Sequence, residues 1–177
     1  MKNTLMILGI LILFVVSSCG EISQNKNTQG QNILEIHNTN DKIMESFFCD
    51  TVYVPIYSEI YSETKDTKFR LTATLSIRNT SMHDSIYIST IDYYNTTGKL
   101  VRKYLNSNIS LKPLETIDYV IEEKDNTGGT GANFVIIWSA EATDLKPIFQ
   151  GVMISTHGQQ GVSYITNGIS INKNHKK

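Results

Sequence analysis

The sequence predicts an all-β domain: a single antiparallel β-sandwich, with a small β-barrel as the alternative. Three observations carry this. Short runs that alternate apolar and polar residues recur along the chain, turn residues separate them every 8–12 positions, and no long stretch has helical periodicity. About 120 residues, from Asp50 to Ile171, carry these runs, enough for one domain with one core.

Val52-Tyr53-Val54-Pro55-Ile56-Tyr57 opens the series. Proline has no N–H to give a ladder, so this segment is expected at a sheet edge or a bulge. From Phe69 to Arg78 every odd position is apolar and every even one polar, which sends one face to the core and the other to water. Asn79-Thr80-Ser81 ends that run. Between Asp84 and Tyr94 the alternation slips from Ile88 to Ile91, as at a bulge. Asn95-Thr96-Thr97-Gly98 reads as a turn, and the run 99–105 leads out of it. Ile109, Leu111 and Leu114 flank Pro113, and Thr116 to Glu122 alternates again with Ile117, Tyr119 and Ile121 on one face.

Gly128-Gly129-Thr130-Gly131 packs three glycines into four residues, followed by Ala132-Asn133-Phe134-Val135-Ile136-Ile137 and the one tryptophan, Trp138. Bounded by glycines and rich in branched residues, the apolar run reads as a strand buried on both faces. The turn lacks the Lys-Ser/Thr of a phosphate loop, and its spacing is wrong for a dinucleotide fingerprint. Gly128, Gly129 and Gly131 are therefore read as a structural turn in which at least one residue needs positive φ. The runs 147–154 and 161–165 close a set of seven to nine strands, and the immunoglobulin-like form of sandwich, with Trp138 between its sheets, is the favoured arrangement.

Outside the domain the chain has a different character. Lys2 precedes an apolar run from Leu5 to Val16, interrupted only by Gly9. That run of about twelve residues suits a signal-peptide core and is too short to span a bilayer, which takes about 20. Val16-Ser17-Ser18-Cys19 resembles the bacterial lipobox. The resemblance implies cleavage before Cys19, lipid attachment there (diacylglycerol with a further acyl chain such as palmitate), and stable anchoring by several chains. The expected division is signal peptide 1–18, tether 19–46, β domain 47–172 and polar tail 173–177. The tether is rich in Asn, Gln, Ser, Thr and Gly, a composition expected to stay disordered. Residues 41–48 favour one or two helical turns.

Sixteen Lys and Arg balance seventeen Asp and Glu, so there is no basic field for nucleic acid. With Cys19 lipidated, Cys49 has no partner for a disulfide and reads as a structural cysteine beside Phe47 and Phe48. The histidines His37, His83, His157 and His175 show no zinc-ligand spacing, and no Gly-x-Ser-x-Gly elbow exists. Glu122, Glu123 and Asp125 read as a solvated turn. No catalytic residue, metal site or cofactor is assigned. Nine tyrosines are present, and four of them, Tyr53, Tyr57, Tyr93 and Tyr94, are candidates for an aromatic surface that binds a peptide or glycan.

The blocks Val52-Tyr53-Val54-Pro55-Ile56-Tyr57-Ser58, Leu75-Ser76-Ile77-Arg78-Asn79-Thr80, Asp92-Tyr93-Tyr94, Gly128 to Phe134 and Gly161-Val162-Ser163-Tyr164 together resemble an uncharacterised bacterial lipoprotein domain family of unknown function. The likeness covers about residues 52–170. The layout of 69–121 is also similar to immunoglobulin-like bacterial modules, a likeness of fold that does not fix function. The expected function is a lipid-anchored, non-enzymatic binding or structural module of the cell envelope, periplasmic or surface-facing, with an envelope protein or glycan as partner. The alternative is a small envelope hydrolase whose site is assembled from distant residues, such as His157 with Asp84 or Ser163.

Overall fold

The computed structural model describes residues 48–156 and 161–174. The signal peptide, Cys19, the tether, Phe47, His37, His157 and His175 lie outside the described residues. Twelve strands are present among those described: β1 (Phe48–Ile56), β2 (Glu59–Ser62), β3 (Thr64–Arg70), β4 (Thr72–Arg78), β5 (Ile86–Tyr94), β6 (Leu100–Lys103), β7 (Ile109–Leu111), β8 (Thr116–Ile121), β9 (Ala132–Ala140), β10 (Ile148–Ser155), β11 (Val162–Asn167) and β12 (Ile169–Asn174).

One sheet runs β12-β1-β9-β5-β6, with β7 also paired to β5. A second runs β11-β10-β4-β8, and β2 and β3 form a hairpin. Every pair is antiparallel. No pairing joins the two larger sheets, so they form a sandwich and not a barrel. The core lies between them. Val52, Val54 and Ile56 of β1, Phe134, Ile136 and Trp138 of β9, and Ile88, Ile91 and Tyr93 of β5 face Leu75 and Ile77 of β4, Ile117 and Ile121 of β8, and Met153 of β10. Ring pairs cross the gap at Trp138–Phe149, 6.1 Å between centroids, and at Tyr104–Tyr119, 4.8 Å.

Several elements depart from the expectations above. β1 is interior, flanked by β9 and β12. It tolerates Pro55 because pairing with β12 ends at Tyr53, after a bulge between Thr51 and Val52, so no ladder asks for the missing N–H. Phe48 begins β1 rather than ending a helical turn. The run 69–78 is split at Leu71, where β3 ends and β4 begins, and the Leu71 N–H donates to the Ser58 carbonyl at 2.9 Å. β9 is the middle strand of its sheet, yet it is deeply buried on one face only: Phe134, Ile136 and Trp138 point inward, while Val135 and Ile137 are half-buried on the outer face. β12 extends to Asn174, paired with Cys49, inside the stretch whose composition reads as a tail. The slip in β5 is a bulge at Ser89, between Ile88 paired with Trp138 and Thr90 paired with Ile137.

Asn79, which ends the β4 run, is buried. Its amide nitrogen lies 2.8 Å from the Asp84 carbonyl, 3.1 Å from that of Leu111 and 2.9 Å from that of Lys112, tying the β4–β5 loop to β7.

Candidate functional site

The tyrosines do not gather into one surface. Tyr93 is fully buried in the core with its ring 5.0 Å from Phe134, which removes it from any binding patch. Tyr57 packs against the core and meets Tyr164 edge-on at 6.0 Å. Of the four candidates only Tyr53 and Tyr94 lie on the outer face of the larger sheet, opposite Val135 and Asn133 on β9. They stand on β1 and β5, with β9 between them. At about 4.8 Å per strand, two strand spacings and an offset of two residues separate them. The reason is that tyrosine's apolar ring is worth more at the margins of the core than in water.

The glycine turn is built for packing. Gly129 has φ +77°, the left-handed region that a side chain disfavours, so one of the three glycines does need positive φ. A Cβ on Gly128 would run into the Tyr93 hydroxyl. The backbone of the turn is engaged by the protein: the Thr96 N–H and hydroxyl donate to the Gly128 carbonyl at 2.9 and 3.0 Å, and the Gly131 N–H donates to the Thr96 hydroxyl at 2.9 Å. The Ser58 N–H and hydroxyl each reach the Gly129 carbonyl at 3.2 Å. Those groups are spent on holding β1, the β5–β6 turn and β9 together.

Near this turn Asp125 belongs to a small network, not a free solvated loop. Arg102 donates to Asp125 at 2.8 Å and to the Tyr104 hydroxyl at 2.8 Å, and the Thr127 hydroxyl donates to Asp125 at 2.6 Å. Burial pushes the Asp125 carboxyl up, but the hydrogen bonds from Thr127 and Arg102 outweigh it and hold the group below its ordinary range.

Of the hydrolase candidates, Asp84 and Ser163 are not brought together. His157 lies outside the described residues. Ser163 pairs with Ile154, which pairs with Thr72 at the start of β4. Asp84 lies beyond Arg78, at the other end of that strand, its carboxylate accepting from Ser81 at 3.1 Å. Six residue steps at about 3.3 Å each put roughly 20 Å between the two levels. Among the described residues no group of three His, Cys, Asp or Glu could hold a metal ion, and no helix is long and apolar enough to cross a membrane. Cys49 is free and half-buried; burial, then the neighbouring Asp50, push its thiol up, away from the reactive thiolate.

A different set of residues does converge. A cleft of about 300 Å³ opens between the sheets where β12 departs from β11, walled by Asp50 of β1, Trp138 of β9, Phe149 of β10, Ser170 of β12, and Leu145 and Lys146 of the β9–β10 loop. Asp50 and Trp138 are direct cross-strand partners. Such partners have Cβ atoms about 4.5–5.5 Å apart on one face. Asp50 is 4% exposed, and the Ser170 hydroxyl donates to its Oδ1 at 2.7 Å. Among the described residues no second side chain donates to this carboxylate. The indole Nε1–H of Trp138 is also buried without a hydrogen-bond partner. An unmade hydrogen bond at such a donor costs about 1–3 kcal/mol. Trp138 and Phe149, 6.1 Å between ring centroids, give the cleft its aromatic side, and Phe48 packs on Trp138 at 5.4 Å.

Sequence reasoning treated Trp138 as core filling and did not single out Asp50. The signal was present but faint: an acidic residue that breaks a buried alternation, at a position whose cross-strand partner only the register reveals.

Residues 49–171 match the family described as Protein of unknown function (DUF3124). No curated protein matches the chain. The chain is similar to one solved structure, "Crystal Structure of Thermotoga maritima 1070", at 11% identity and a TM-score of 0.40, over 71% of this chain and 97% of that one.

Proposed function

The chain belongs to the DUF3124 family of proteins of unknown function, and from that premise we propose that it is a lipid-anchored binding module of the bacterial cell envelope, non-enzymatic, with the Asp50–Trp138 cleft as its ligand site. The observation that carries the reading is the cleft itself: between the two sheets it is walled by a buried carboxylate, Asp50, with Trp138 and Phe149 beside it. Ligand sites are concave, largely apolar and furnished with a few fixed polar groups. The anchor rests on Val16-Ser17-Ser18-Cys19 and the apolar run before it, which resemble a lipobox. Residues 19–46 are the expected tether between that anchor and the domain.

The test has two arms. Cells grown with labelled palmitate should yield a labelled protein that partitions with detergent-phase membrane proteins, and Cys19→Ala should lose both label and partition. Persistent label in that variant refutes the anchor. Native mass spectrometry of the protein released by mild detergent should show a bound small molecule. Turnover of esters, phosphoesters, peptides or glycosides, abolished by Ser163→Ala or His157→Ala with the fold intact by circular dichroism, would replace this reading with an envelope hydrolase.

A further inference from the structure

We propose that the open edge of β11 is an interface with a second copy of this chain, the two β11 strands pairing antiparallel about a two-fold axis at Ile165; this does not depend on any ligand in the cleft. The larger sheet ends at β12 on one side and at β6 and β7 on the other, and the second sheet ends at β11 and β8. Among the described residues no strand pairs with the open side of β11. An open edge is a template for a further strand, and proteins blunt it with charge, proline or cover. The other edges are blunted. β6 carries Arg102 and Lys103, and β7 beside it is buried. β8 carries Asp118 and runs on into Glu122, Glu123 and Lys124, and β12 carries Lys173. From Gly161 to Gly168, around β11, there is no Asp, Glu, Lys, Arg, His or Pro.

This unguarded strand also ends an apolar row. On the outer face of the second sheet, Val120 of β8 stands opposite Thr74 of β4, Thr74 opposite Val152 of β10, and Val152 opposite Ile165 of β11. Ile165 is 60% exposed at the end of the row. A further strand is what would shelter it.

The pattern of β11 says which strand that is, because it matches itself. Antiparallel pairing centred on Ile165 sets this residue against its own counterpart and Ser163 against Asn167, so apolar meets apolar and polar meets polar on the outer face. Tyr164 then meets Thr166, and Val162 meets Gly168. Centring on Tyr164 instead would set Ile165 against Ser163. Two identical strands also bring charges of one sign together, which is unfavourable, and β11 brings none. The join makes one continuous sheet from two and uses up both β11 edges, so assembly closes at the pair.

The test uses the full-length protein in density-matched detergent, where sedimentation equilibrium reports the mass of protein alone. The six-residue strand makes a small interface, at the weak end of specific contacts. With a Kd in the micromolar range, protein at about 100 µM should be mostly dimeric. Ile165→Lys sets two ammonium groups face to face and should raise the Kd tenfold or more, with the melting temperature unchanged because the position is exposed. Val120→Lys, in the same row but at the opposite edge, should leave the Kd unchanged. Register is read by cysteines placed in a Cys49→Ala background. Opposed residues of antiparallel strands have Cα atoms about 4.5–5.5 Å apart, within reach of a disulfide. Ile165→Cys should therefore cross-link into a dimer on mild oxidation. Ser163→Cys, four residues or roughly 13 Å along the strand from its counterpart, should not exceed the Cys49→Ala parent. Cys19 is common to all three proteins and cancels. Should Ile165→Lys fail to fold, the two cysteine variants decide alone. A monomer at about 100 µM, a Kd indifferent to Ile165→Lys, an equal loss in Val120→Lys, growth beyond the dimer, or cross-linking at 163 and not at 165 each overturns the proposal.

Discussion

Tyr93 illustrates how one residue sets the demands on its neighbours. Its ring fills the core against Phe134, and its hydroxyl, buried without a hydrogen-bond partner of good geometry, lies where a Gly128 side chain would go. The added Cβ of Gly128→Ala would also lie 2.8 Å from Tyr93 Cζ and 2.8 Å from Ala132 Cβ. Gly128→Ala is therefore expected to destabilise the domain by about 2 kcal/mol or more, the cost of overpacking a filled site. Tyr93→Phe removes an unpaired buried hydroxyl and should be neutral or stabilising. The double variant should recover part of the Gly128→Ala loss, because the worst collision is gone while those with the ring Cζ and Ala132 Cβ persist. Denaturant melts of the four proteins give the coupling energy. Simple additivity would show that the collision is relieved by other means.

At the scale of the element, the bulge in β5 explains why its apolar pattern slips. Ile86 and Ile88 face the core before Ser89, Ile91 and Tyr93 after it, and one extra residue switches the parity between them. The register states what deletion would do. With Ser89 removed, Thr90 follows Ile88 directly and still meets Ile137, and Ile91 still meets Ile136. A Ser89 deletion is expected to fold, at a cost of about 1–3 kcal/mol from the lost bend and the lost 3.3 Å hydrogen bond to the Ile137 carbonyl. Deleting Asp92 instead turns Tyr93 and the residues after it to the opposite face, and should abolish cooperative thermal unfolding. Matching melts for the two deletions would refute this account of the strand.

At the scale of the whole molecule, alkaline pH tests the sandwich through tyrosines spread across it. Burial pushes Tyr93, Tyr119 and Tyr164 from 10.0 up to about 12. Tyr93 and Tyr119 belong to the aromatic cluster with Phe134 and Tyr104, and Tyr164 packs on Tyr57. In the unfolded chain these phenols ionise near pH 10, while in the folded chain they keep their protons until about 12, so the folded state binds more protons in that window. Stability is then fully present below pH 10 and falls as pH rises from 10 to 12. Melting temperature should be flat from pH 8 to 9.5 and drop steeply above 10, and Tyr119→Phe should make the drop shallower. An unchanged slope would mean that Tyr119 titrates freely in the native protein.

What the sequence determined by itself was the class of fold and most of its strands, because alternation with a period of two is a local property. Thr72 to Ile77, Thr116 to Ile121 and the slip at Ser89 can be read without knowing any partner, whereas the break at Leu71 cannot. Local composition misled where the partner decides. In the hairpin of β2 and β3, Ile60 and Phe69 pack on the core while residues 64–68 are exposed and mostly charged or polar, so little apolar alternation marks it. Lys173 and Asn174 read as tail because backbone pairing to β1 holds them in β12, and composition does not record that pairing. Pro55 reads as an edge because the sequence does not say where a neighbouring strand stops. The tyrosines read as a surface because burial is a property of the assembled sheets. The cleft belongs wholly to the tertiary structure: Asp50, Trp138 and Ser170 are far apart in the chain and meet only because β1 lies between β9 and β12. A site walled by residues of separate strands is defined by which strands are neighbours in space, and spacing along the chain does not record that.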